Sequence, residues 1–135
     1  MKIKIISIFI LLLFVKAKPD LVCKKVFLIN KHPKVNDKVS LSYSIYNIGE
    51  KKIKNKYDVS LYINDSLVSL DTEGWGLNPK QGITYGKRLE KGFYHFIPKK
   101  EGKYKYKVII DSKNLVNEEN EKNNIKEGTF IVYNK

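Results

Sequence analysis

The sequence predicts an all-β chain folded as an antiparallel sandwich, and three observations predict it. Apolar residues recur at every second position in several segments. Turn-forming residues break those segments at short intervals. No stretch after residue 20 carries a helical repeat of useful length. About seven short strands, in a domain of roughly 115 residues, suit two packed sheets.

Each element follows from its own residues. Pro19 and Asp20 open the domain, and Leu21 to Ile29 reads as the first strand. Residues 31–37 hold His32, Pro33 and Asn36, all compatible with a turn. Val39, Leu41, Tyr43 and Ile45 then alternate with Ser40, Ser42 and Ser44, a half-buried strand that Asn47, Ile48 and Gly49 break. Residues 51–56 read as a charged turn. Tyr57, Val59, Leu61 and Ile63 alternate with Asp58, Ser60 and Tyr62, and Asn64 and Asp65 turn the chain into a short return strand over 67–70. Residues 71–82, with Gly74, Trp75, Gly76, Pro79 and Gly82, read as an irregular loop. An edge strand is expected over 83–89 and another strand over 93–97, ending at Pro98. Strands over 104–110 and 128–133 complete the domain.

The expected core is Val39, Leu41, Tyr43, Val59, Leu61, Ile63, Tyr104, Tyr106, Val108 and Ile110, with Lys103, Lys105 and Lys107 facing water. Gly102, Lys103 and Tyr104 sharpen the fold class. The immunoglobulin fold often places a corner tyrosine two residues before an inward position on its sixth strand. Tyr104 suits that corner and Tyr106 the inward position, so the sandwich is expected to be immunoglobulin-like.

The first 17 residues read as a cleavable signal peptide, and residues 18–135 as a single domain. Lys2 and Lys4 supply a positive start, and Ile5 to Val15 is an apolar run broken only by Ser7. Val15 and Ala17 match the small-residue pattern of a cleavage site. A spanning helix needs about 20 apolar residues, and Lys16 and Lys18 end this run too early, so no stable membrane insertion is expected after cleavage. Cys23 is the only cysteine, which excludes an internal disulfide. Val22 stands before it where a lipoprotein signal would carry a small residue.

The chain has a formal net charge of +12, and loss of residues 1–17 would leave +9. Arg88 is the single arginine among 26 basic residues. Nucleic-acid readers favour the bidentate fork of arginine, and the lysines are spread along every segment. The Lys103 to Lys107 interleaving of lysine with tyrosine follows from strand period, so no nucleic-acid partner is expected.

Residues 111–124, DSKNLVNEENEKNN, join two clean strands with acids and amides. Asp111, Asn114, Val116, Glu118, Asn120, Glu121, Asn123 and Asn124 follow the spacing D-x-x-N-x-V-x-E-x-N-E-x-N-N. This resembles the last hairpin of CARDB domains, the cell-adhesion-related domains found in bacteria. Further blocks resemble the family in order: Pro19 to Val22, Val35 to Asp37 with the Val39 strand, Asn47 to Gly49, Leu61 to Asp65, and Glu101 to Tyr104. Asn36 stands where the family usually has glycine, Lys113 where it often has an acid, and residues 71–88 match poorly. The resemblance implies a seven-stranded immunoglobulin-like sandwich, exported, used in adhesion or as a spacer or binding module. It implies no catalytic residue.

Two chemical readings attach to these residues. Asp111, Asn114, Glu118 and Glu121 could supply hard oxygen ligands to calcium, although their order is not that of an EF-hand loop and Lys113 lies among them. Alternatively the side chains of Asp111, Asn114, Glu118, Asn120, Glu121, Asn123 and Asn124 cap backbone groups of the hairpin itself. Trp75, flanked by glycines, is a candidate partner contact. Neither His32 nor His95 has Cys23 at a spacing that makes a nucleophile–base pair, and no glycine-rich phosphate loop exists, so no enzyme, cofactor or catalytic residue is expected.

The function expected is therefore that of an exported, non-enzymatic CARDB-like sandwich. It would act in cell-envelope or extracellular adhesion or protein interaction, or as a structural module. The alternative is a small secreted module binding carbohydrate or calcium through the Trp75 loop or the 111–124 hairpin. The expected partner is an envelope or extracellular protein or glycan, met outside the cell, in the periplasm or on the cell surface.

Overall fold

A computed structural model describes residues 16–73, 76–85 and 95–135. Within them the chain is all β. The strands are β1 (Leu21–Leu28), β2 (Val39–Asn47), β3 (Tyr57–Ile63), β4 (Ser66–Glu73), β5 (Gly82–Tyr85), β6 (His95–Phe96), β7 (Gly102–Ile110) and β8 (Ile125–Val132).

The strands form two sheets. In one, β2 lies between β1 and an edge shared by β5 and the two-residue β6. In the other the order is β4-β3-β7-β8. Every strand pairing is antiparallel. Among the described residues the inward side chains of the two sheets make one core: Leu21, Val39, Leu41, Tyr43, Ile45, Tyr57, Val59, Leu61, Ile63, Val108, Ile110, Phe130 and Val132 are buried. On β7 the expected facing holds for Lys103 and Lys105, which are exposed, while Lys107 is half-buried. The alternation along β2 and β3 predicts half-buried strands, but packing covers their polar positions Ser42, Ser44, Asp58 and Ser60 as well. Tyr104 and Tyr106 are half-buried and pack against the core.

Local chemistry sets the turns. Asn64 and Asp65 both take positive φ, 47° and 66°, the geometry of the two-residue hairpin turn whose twist matches the strands it joins. Asn36 has φ 67°, a left-handed geometry that asparagine tolerates in place of glycine. The tyrosine corner is present: the Tyr104 hydroxyl donates to the Lys100 carbonyl at 2.8 Å, and its ring stacks on Phe130.

Several boundaries differ from the sequence expectation. β4 runs on to Glu73 because β3 offers partners that far, with Tyr57 opposite Glu73. β8 begins at Ile125 rather than Gly128, because Ile109 and Val108 of β7 pair with Ile125 and Lys126. A strand continues while its neighbour presents backbone groups, whatever the side chains say. The segment read as a charged turn buries Ile53, and the segment read as loop buries Leu77. They meet: the Ile53 N–H donates to the Leu77 carbonyl at 2.9 Å. Residues 86–89 and 93–94 of the expected strands lie outside the described residues, as do the apolar run Ile5 to Val15 and Trp75.

Candidate functional site: the acidic hairpin and the sheet face beside it

The hairpin between β7 and β8 closes one end of the sandwich. Asp111 begins it with φ 54°, and Asn114 follows with φ 51°. The Asp111 carboxylate accepts from the N–H groups of Leu115 and Val116, both at 2.9 Å, which folds the chain back and buries Val116. The Asn114 N–H donates to the Asp111 carbonyl at 2.9 Å. Glu121 accepts from the Glu118 N–H at 2.8 Å, and exposed Asn120 accepts from the Lys122 N–H at 3.0 Å.

Other groups of the hairpin reach beyond it. Glu118 is buried, and one carboxylate oxygen accepts from the Leu21 N–H at 2.5 Å. Its other oxygen accepts from the Asn124 amide at 2.6 Å. The Asn123 amide donates to Asp20 at 2.8 Å, and the Glu119 N–H donates to the Pro19 carbonyl at 2.8 Å. On the β3 side, buried Asp58 accepts from the Ser112 hydroxyl and from the Lys113 N–H at 3.1 Å. The hairpin thus straps the start of β1 to β3.

Sequence reasoning missed Asp20, Asn47 and Asp58 as members of this end. Asn47 is fully buried and uses both ends of its amide. Its oxygen accepts from the N–H groups of Asp20 and Gly49, and its nitrogen donates to the carbonyls of Lys51 and Leu77. A signal existed: Asn47 continues the inward series Val39, Leu41, Tyr43, Ile45, and a polar residue at an inward position must find partners. Asp58 offered no such signal, being one polar residue among outward ones.

Electrostatics mark the buried acids. Burial pushes the Glu118 carboxyl up to about 7, with Glu121 and Asp111 adding to the rise while the bonds from Leu21 and Asn124 oppose it. Burial also raises Asp111. No ion pair to either carboxylate exists among the described residues; Lys18 reaches the Glu118 carbonyl, at 3.4 Å. Burial pushes the Cys23 thiol up to about 11, so it stays protonated and unreactive at neutral pH.

The acids fit a metal ion poorly. Both Asp111 oxygens and both Glu118 oxygens already accept from nitrogen donors. Among the described residues, no three His, Cys, Asp or Glu side chains gather where an ion could be held.

Beside the hairpin, the outer face of the β4-β3-β7-β8 sheet carries a row that runs across all four strands. Leu70 pairs with Ser60, Ser60 with Ile109, and Ile109 with Ile125. Ser60 is buried beneath this row, its hydroxyl 3.2 Å from that of Ser112, whereas Leu70 and Ile125 are exposed. The next row is Leu67, Tyr62, Lys107 and Glu127. The Lys107 ammonium sits 5.1 Å from the centre of the Tyr62 ring.

Comparison with known proteins agrees with this architecture. The chain is similar to the CARDB domain of the PF1109 protein from Pyrococcus furiosus, whose crystal structure is described as a complex with di-metal ions. The identity is 26%, the TM-score 0.66, and the match covers 87% of this chain and 94% of that one. A solution structure of the same domain matches at 25% identity and TM-score 0.64, covering 88% and 97%. A domain of a protein from Methanosarcina acetivorans, described as a cell surface protein, shares the fold at 23% identity and TM-score 0.66, covering 85% and 92%. No curated protein matches the chain. The CARDB family model matches residues 18–128. With its two antiparallel sheets and its strapped acidic hairpin, the chain belongs to the CARDB family.

Proposed function

We propose that the chain is an exported, non-enzymatic binding or spacing module of the cell envelope, which docks through the outer face of its four-stranded sheet. The row in which half-buried Ile109 lies between exposed Leu70 and exposed Ile125 carries this reading. The buried carboxylates at the hairpin end bond to the fold itself, so they are not free to do chemistry on a ligand. Exposed aliphatic side chains aligned in register across a sheet have no such internal use, and contiguous apolar patches mark interaction sites. Export is supported by the Lys2–Lys4 start and the Ile5 to Val15 apolar run. The absence of a reaction is supported by the burial that keeps the Cys23 thiol protonated.

The test uses residues 18–135, which contain every core residue named above. Washed envelope preparations should retain this domain in a sedimentation assay. The variant Leu70→Ser with Ile125→Ser should be released while its melting temperature stays unchanged. Equal retention of both would overturn the docking face. N-terminal sequencing of the protein from outside the cell should begin near Lys18; a soluble cytoplasmic form that begins at Met1 would overturn export.

A further inference from the structure

We propose that this sheet face is a peripheral docking surface for anionic phospholipid, a proposal that rests on the docking reading above. The strand order decides what the face presents. Central β7 turns Lys103, Lys105 and Lys107 outward, and they form a lysine column that ends at Ile109. On one flank β4 presents Leu67 and Leu70, 53% and 48% exposed. On the other β8 presents Ile125 and Ile131, 52% and 40% exposed. Cations therefore stand between two lines of exposed aliphatic side chains. Glu127, the register partner of Lys107, is the acid among these outward positions of β7 and β8, so the column keeps a net positive charge.

Charge complementarity selects an anionic occupant over a second copy, which would set one lysine column against another. Composition selects lipid over protein. Protein interfaces deplete lysine and favour arginine and large aromatics in pockets. This face has lysine, leucine and isoleucine around one half-buried aromatic, Tyr62, whose ring lies under the Lys107 ammonium. Lysine lays its aliphatic stem along apolar surface while its ammonium stays at the level of water or headgroups. A soluble anionic polymer would use the lysines and leave the four aliphatic side chains without a role. A membrane surface uses both, with the aliphatic tips in the interface and the lysines at the phosphates.

A second feature fits a headgroup. An open depression of about 350 Å³ lies among Lys105, Lys107, Gly128 and Thr129, lined also by Asp65, Tyr106 and Glu127. The Lys105 ammonium and the Thr129 hydroxyl can donate to a phosphate there, with the carboxylates of Asp65 and Glu127 on the same rim.

The experiment is vesicle sedimentation of residues 18–135, with vesicles of phosphatidylcholine alone or mixed with phosphatidylglycerol, at low and high salt. The domain should bind the mixed vesicles and not the neutral ones, and salt should weaken it. The variant Lys103→Ala, Lys105→Ala, Lys107→Ala should lose about a hundredfold in affinity, from about fivefold per lysine near an anionic surface. The variant Leu67→Ser, Leu70→Ser, Ile125→Ser should lose binding at unchanged charge. A charge-matched control on the other sheet and its loop, Lys24→Ala, Lys25→Ala, Lys38→Ala, should bind as the parent does. Equal losses in the control and in the β7 variant would overturn the proposal in favour of diffuse attraction. Retention of the serine variant would do the same, since the aliphatic side chains would be idle. Envelope retention without vesicle binding removes the lipid proposal and leaves the docking reading standing; loss of both removes both.

Discussion

The Glu118 carboxylate holds the Leu21 N–H at 2.5 Å, across 97 positions of sequence. This bond joins the closing hairpin to the first residue of β1. Removing the carboxyl strands the Leu21 N–H and the Asn124 amide in a buried place. We expect Glu118→Ala to cost about 1–3 kcal/mol in denaturant melts. Glu118→Gln should cost less. Its carbonyl can accept from Leu21, and its amide can donate to Asn124 Oδ1, a buried acceptor with no partner among the described residues. Equal losses in the two variants would show that the carboxyl acts by volume alone.

The same residue should make stability depend on pH in an unusual direction. Its folded value is about 7, against 4.5 for the ordinary carboxyl. Between these values the folded chain keeps a proton that the unfolded chain has released. Stability from this group therefore falls as pH rises from about 4.5 to about 7, and the loss is complete above that window. Asp111, also raised by burial, acts in the same direction from its own ordinary value upward. Melting temperatures of wild type and Glu118→Gln, followed from about pH 5 to about pH 8, should diverge against wild type as pH rises. A constant difference would reject the assignment.

The hairpin network should be indifferent to calcium. Asn124→Ala and Glu121→Ala remove a donor to Glu118 and an acceptor for the Glu118 N–H, and each should cost roughly 1–3 kcal/mol. The cost should be the same with millimolar calcium or with a chelator. A wild-type melting temperature that rises by many degrees on addition of calcium would instead make the hairpin a metal site. Unchanged melting in both variants would make its pattern a partner surface.

The corner tyrosine offers a smaller test. Tyr104→Phe keeps the stacking on Phe130 and removes the bond to the Lys100 carbonyl. The expected loss is about 0.5–1.5 kcal/mol, the ordinary net value of one hydrogen bond. No measurable loss would make the corner decorative.

Gly49 is required by close approach. A Cβ there would stand 2.5 Å from the Lys18 carbonyl oxygen and 2.6 Å from the Asp20 nitrogen, both backbone. Gly49→Ala should therefore push the start of the domain away from the 48–51 turn. The bonds from Ile48 to Asp20 and from Glu50 to Lys18 would be lost with it. We expect a cost of about 1–3 kcal/mol, the range for overpacking. Faster proteolysis near Lys18 should accompany it, and intact melting together with unchanged proteolysis would refute the contact.

By itself the sequence determined the fold class, the turns and the facing of the central strands. Val39 to Ile45 and Tyr57 to Ile63 alternate apolar with mostly polar residues, and that period names the side chains that face the core. Asn64-Asp65 and Asn36 announce positive φ because their short polar side chains tolerate it. Tyr104 announces its corner by its place after Gly102. The spacing of the 111–124 motif identified the family, and local bonds such as Asp111 to Leu115 and Val116 follow from that spacing.

Only the tertiary structure decided which distant groups those side chains meet. Nothing near Glu118 in sequence points to Leu21, nothing near Asp58 to Ser112, and nothing in a lysine-rich turn to the burial of Ile53 against Leu77. The row from Leu70 to Ile125 is likewise invisible along the chain, because each strand contributes one member and the sheet order brings them together. Local periodicity records which way a side chain faces. Its partner across the sandwich is set by strand order and register, which are properties of the assembled sheets.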